Sequence, residues 1–75
     1  MRKQRILTAY SPDGTVKKHS RQAFDGGTLV HVRSIAKKFL SKPGDYAVIE
    51  CGERTEKMVL RDDKSIDKQV TYDRR

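Results

Sequence analysis

The 75 residues include no tryptophan, no asparagine and a single cysteine. Cys51 alone forms no intrachain disulfide, and without a cluster of Cys or His it cannot build a structural zinc site. That cysteine usage fits a reducing compartment, so a cytoplasmic location is expected. Long apolar runs are missing too. After the basic start Met1-Arg2-Lys3-Gln4-Arg5 only Ile6-Leu7 precede Thr8, too short for an export signal. No stretch approaches the roughly 18 apolar residues of a membrane span, and no membrane partner is expected. Acids are scarce in one region only. Residues 1–44 hold ten Lys and Arg against Asp13 and Asp25, a net +8, whereas residues 45–75 hold seven bases and eight acids, a net −1. Charge with a location can bind a partner, whereas evenly spread charge mostly keeps a protein soluble.

What is present is lean. Hydrophobic residues make up 35% and charged residues 36% of the chain, enough for one small domain with a thin core. A chain of this size buries only about 60% of the surface its unfolded form exposes. A second copy or a partner often completes such a core, so a homodimer is one expected state.

The order of elements predicts an α+β domain, β-β-α-β-β, with one amphipathic helix packed on an antiparallel sheet. Ile6 to Tyr10 is short, β-branched and aromatic enough for a strand. Ser11-Pro12-Asp13-Gly14 has the Pro and Gly placement of a type I turn, which predicts a return strand over Thr15–His19. Asp25-Gly26-Gly27 breaks the chain, and Thr28 is suited to cap a helix. Leu29, Val32, Ile35, Ala36, Phe39 and Leu40 then form a continuous apolar stripe at helical spacing, which Pro43-Gly44 ends. Tyr46–Cys51 reads as a strand buried on both faces or nearly so. A reversal at Gly52-Glu53-Arg54 returns the chain as Glu56–Arg61. The domain is expected over residues 1–62. Residues 63–75 form a polar tail in which Ile66, Val70 and Tyr72 either pin a short extra strand or leave the tail mobile.

The helix side opposite the apolar stripe shows His31, Arg33, Ser34, Lys37, Lys38 and Ser41, and no acid occurs from Gly26 to Gly44. Solvated helices usually mix signs, because Glu–Lys pairs four apart add a few tenths of a kcal/mol. Lys37, Lys38 and Lys42 lie where cations complement the helix dipole, but that account does not cover Arg33. The N-terminal segment adds Arg2, Lys3, Arg5, Lys17, Lys18 and Arg21. The expected contact residues are therefore Lys3, Arg5, Lys17, Lys18, Arg21, Arg33, Lys37, Lys38 and Lys42.

Phosphate backbones suit such a set, since each neutralised phosphate releases condensed counterions and several contacts give affinity without base reading. Base recognition is poorly served: Asn is absent, Gln is sparse and no Trp offers a stacking plane. Tyr10 and Phe24 are the stacking aromatics of the basic region, and each is better read as structural. The competing expectation is a small regulatory or inhibitory protein, of a size that suits a virus-encoded or accessory factor, docking on an acidic surface of a larger protein.

Catalysis, metals and cofactors are not expected. His19 and His31 have basic neighbours and no carboxylate partner nearby in sequence, so neither suggests a metal site. His19 beside Lys17, Lys18 and Arg21 only weakly resembles the base and cation that a ribonuclease needs. Cys51 next to Gly52 reads as a buried small apolar residue rather than a nucleophile. Asp62, Asp63 and Asp67 lack calcium-loop spacing, and Gly26-Gly27 lacks the rest of a phosphate-binding fingerprint. Helix-turn-helix, double-stranded-RNA and RNA-recognition patterns do not fit the element order.

Overall fold

Side-chain alternation along the strands sorts the residues onto two sheet faces, and one helix covers only one of them. A computed structural model describes residues 4–26 and 28–72. Its elements are β1 (Gln4–Tyr10), β2 (Gln22–Asp25), α1 (Leu29–Phe39), β3 (Tyr46–Cys51), β4 (Arg54–Leu60) and β5 (Ile66–Tyr72). The five strands form one antiparallel sheet in the order β2-β1-β3-β4-β5. The α+β architecture expected from the sequence is thus observed, with a fifth strand added.

The helix forms where the stripe predicts it. Thr28 is extended and its hydroxyl accepts the His31 amide at 3.2 Å, satisfying a donor that the first turn leaves open. Val32 and Ala36 are fully buried, and Leu29, Ile35 and Phe39 pack beside them. They meet Leu7 and Ala9 of β1, Ala47 and Ile49 of β3, and Met58 and Leu60 of β4. Burying one such Val or Leu contributes about 1.5–3 kcal/mol, so a charge at position 32 or 36 would undo the docking.

One expected strand is displaced, and one of the two alternatives for the tail is realised. Thr15–His19 does not return as a strand: only Val16 bridges Tyr10, and β2 begins at Gln22. The turn itself is as predicted, with the Gly14 amide donating to the Ser11 carbonyl at 2.9 Å. Beyond it the backbone leaves the ladder, with His19 in the left-handed region at φ 62°. Ser20 replaces the missing strand. Its buried hydroxyl accepts the Ala9 amide at 3.1 Å and donates to the Lys17 carbonyl 2.7 Å away. A side chain thus satisfies an edge group that a strand would otherwise pair. At the other end, the tail resolves into β5, paired with β4 one-to-one from Leu60–Ile66 to Arg54–Tyr72. The second hairpin turns on Gly52 and Glu53, with Gly52 at φ 62° where the first turn position requires it. β3 is buried on the helix side only, and its other side is half-buried apart from the exposed Glu50.

Candidate polyanion interface

The registers divide charge by sheet face. Arg5, Leu7 and Ala9 of β1 face the helix, as do Ala47, Ile49 and Cys51 of β3. The same side holds Arg54, Glu56, Met58 and Leu60 of β4, and Ile66, Lys68, Val70 and Tyr72 of β5. Among strand and helix residues, the helix side carries Arg5, Arg33, Lys37, Lys38, Arg54 and Lys68 against Glu56 alone. The open side carries Lys57 against Asp25, Glu50 and Asp67. The asymmetry between the two halves of the sequence becomes an asymmetry between the two faces of the sheet. Lys68 and Arg54, from the nearly neutral half, join the basic face.

Several of the expected contact residues are committed inside the fold. Lys17 crosses to the end of α1, where its ammonium donates to the Phe39 carbonyl and to Asp45 Oδ2, each at 2.5 Å. Asp45 is buried and also accepts the Ser41 and Lys42 amides at 3.0 and 2.9 Å. Burial would raise the Asp45 carboxyl, but Lys17 and the two amides outweigh it and hold its pKa at about 2. Arg33 makes a bidentate pair with Glu56, Nε to Oε2 at 2.6 Å and a terminal nitrogen to Oε1 at 2.7 Å. Arg54 adds a third bond to Glu56 at 2.9 Å. Glu56 lies in the helix-side layer with no exposed surface, and the Arg33 hydrogen bonds, against the opposing effect of burial, hold its carboxyl below the usual range. The same bond raises the Arg33 guanidinium further. Arg33, which the dipole account left over, is the counter-ion of a buried glutamate. Arg5 donates to the Gly26 carbonyl at 3.5 Å.

The remaining cations are exposed: Lys18, Arg21, Lys37, Lys38 and Lys42. None of them forms an ion pair among the described residues. Lys17 brings part of this set together. Its ammonium touches the Phe39 carbonyl and lies 3.4 Å from Ser41 Oγ, which ties the segment that carries Lys18 to the end of α1, the helix of Lys37 and Lys38. Lys37 lies on the other shoulder of α1. There it borders a shallow groove of about 150 Å³ whose walls include Arg33 and Lys68 and whose apolar lining is Met58 and Ile66. Lys3 lies outside the described residues. Lys68 is not among the contact residues expected from the sequence; the alternation Ile66, Lys68, Val70, Tyr72 in β5 places it on the helix side.

The aromatics divide differently. Tyr10 stacks on Tyr46 on the open face, with centroids 4.9 Å apart and planes 18° apart, and Lys57 lies 4.7 Å from the Tyr46 ring. Phe24 packs against the core and meets the His31 ring edge-on. Neither Tyr10 nor Phe24 stands alone as a stacking plane within the basic face. Among the described residues no group of three His, Cys, Asp or Glu is placed to hold a metal ion. No protein-family model, curated protein or solved structure matches the chain.

Proposed function

We propose that the protein binds nucleic acid through the phosphate backbone, with the helix side of the sheet as the contact surface. The observation that carries this reading is the segregation of charge by face. Six cations against one acid lie on the helix side among strand and helix residues, and that acid is already neutralised by two arginines. Lys18, Lys37, Lys38, Lys42 and Lys68 are the phosphate contacts. They are exposed ammonium groups on flexible stems, suited to point-charge contact rather than to bidentate base reading. With five contacts on a duplex, the slope of log affinity against log salt is about −4 to −5. Titration of DNA and RNA duplexes of unrelated sequence across a salt series tests this. Comparable affinities and a slope near that value support the reading; a slope near zero, or no binding at low salt, refutes it.

One observation favours a second reading. The groove beside Lys37 has an apolar lining, Met58 and Ile66, inside a ring of cations. A protein segment with an acidic residue next to an apolar one fits that chemistry better than phosphate does. A partner retained through nuclease digestion of a lysate pull-down would support it, and loss of every partner on digestion would exclude it.

A further inference from the structure

The sheet ends in two unequal edges. β2 is four residues long, whereas β5 runs seven residues and pairs along its whole length with β4 on its inner side. Among the described residues no strand pairs with its outer side. Edge strands of this length are usually blunted by proline, a bulge, brevity or charged side chains, lysine above all, and of these devices β5 carries only the charges of Asp67 and Lys68. β5 has no proline, and its one-to-one register has no bulge. Its helix-side residues beyond the reach of α1 stay open: Val70 is 39% and Tyr72 63% exposed.

We propose that β5 is a dimerisation edge and pairs antiparallel with β5 of a second copy about a twofold axis through Gln69. Such an axis stands perpendicular to the sheet and keeps each face continuous, so opposed residues must come from the same side. An axis at Asp67 sets acid against acid, and one at Lys68 sets ammonium against ammonium; like charges directly opposed destabilise a strand pair. An axis at Val70 opposes only residues 68–72. The axis at Gln69 opposes all seven: Ile66 with Tyr72, Asp67 with Thr71, Lys68 with Val70 and Gln69 with itself, with no like-charge pair. It also extends the core. Ile66 is paired with the buried Leu60 and packs on the central cluster, so Tyr72 of the second copy continues an apolar row that now ends in solvent. On its own sheet Tyr72 lies opposite Arg54, and in the dimer Ile66 of the second copy covers its outer side.

The dimer keeps both helices on one side of a ten-stranded sheet, setting the two basic faces side by side. That consequence rests on the phosphate reading; the dimer itself does not, and its test uses no nucleic acid. Single cysteines are placed at 69, 68 or 70 in a Cys51→Ser background and oxidised mildly, while sedimentation of the unaltered protein gives its mass. Opposed Cβ atoms in a strand pair lie about 4.5–5.5 Å apart, near disulfide range, and diagonal ones about 7–8 Å apart, outside it. The expected result is a protein of twice the monomer mass and a covalent dimer as the major product of Gln69→Cys alone. A monomer at every concentration overturns the proposal. So does cross-linking through Lys68→Cys or Val70→Cys but not Gln69→Cys, which moves the axis.

Discussion

Replacing Lys17 with alanine tests whether this cation belongs to the fold or to the binding surface. In the fold its ammonium neutralises Asp45, which has 1% of its side-chain surface exposed, and also caps the Phe39 carbonyl at the end of α1. Removing one partner of a buried pair costs about 3–5 kcal/mol when nothing else compensates. Here the Ser41 and Lys42 amides still solvate the carboxylate, so the lower end applies, about 3 kcal/mol. At about 4–8 °C per kcal/mol for a domain of this size, the midpoint falls by roughly 12–24 °C. The pH dependence gives a second signature. Asp45 has a folded pKa of about 2, depressed from an unfolded value near 3.8. Its contribution is therefore complete above about pH 4 and is lost as pH falls towards 2. It amounts to at most about 2 kcal/mol, because part of the pair is reached by solvent. In Lys17→Ala the depressing charge is gone and burial dominates, so the acid transition moves to higher pH. Urea denaturation of both proteins from pH 2 to 7, followed by circular dichroism, reads both effects. A stability loss below about 0.5 kcal/mol with an unchanged acid limb would refute the assignment.

Other perturbations separate the remaining elements. Glu56→Gln leaves the Arg33 and Arg54 guanidinium groups facing a neutral amide, and chemical denaturation should show a loss of about 1–3 kcal/mol. Because the Glu56 carboxyl is held below its ordinary pKa of 4.5, its contribution is present above that pH and fades as pH falls through the lower folded value, and the variant should lose that part of the acid transition. Thr8→Val acts in the opposite direction. Thr8 Oγ1 is buried without a hydrogen-bond partner among the described residues, so the isosteric methyl should stabilise by about 1 kcal/mol in the same assay.

Much of the fold can be read locally, and what cannot depends on partners distant in sequence. The helix announces itself through its stripe, its Thr28 cap and Pro43-Gly44, all within sixteen positions of one another. The pairing of β3 with β4 follows from apolar content and the reversal at Gly52, although the turn is shorter than Gly52-Glu53-Arg54 and β4 already begins at Arg54. β2 could not be read in this way. Its displacement from Thr15–His19 depends on Ser20 serving Ala9 eleven residues away and on Lys17 reaching Asp45 twenty-eight residues away. The same limit governed the site. Arg33 looked like a surface cation until Glu56, twenty-three positions on, appeared beneath it. A signal did exist: Glu56 alternates with Met58 and Leu60, so an acid had to enter the helix-side layer and needed a cation from above.

The central claim is that the helix side, and not the open side, meets phosphate. Its most direct test compares salt slopes for duplex binding by Lys37→Gln, Lys38→Gln and the open-face Lys57→Gln. Each helix-side variant should lower the magnitude of the slope by about 0.9 and weaken all sequences equally, while Lys57→Gln leaves slope and affinity unchanged. Equal losses from both faces, or a loss confined to Lys57→Gln, would contradict the account.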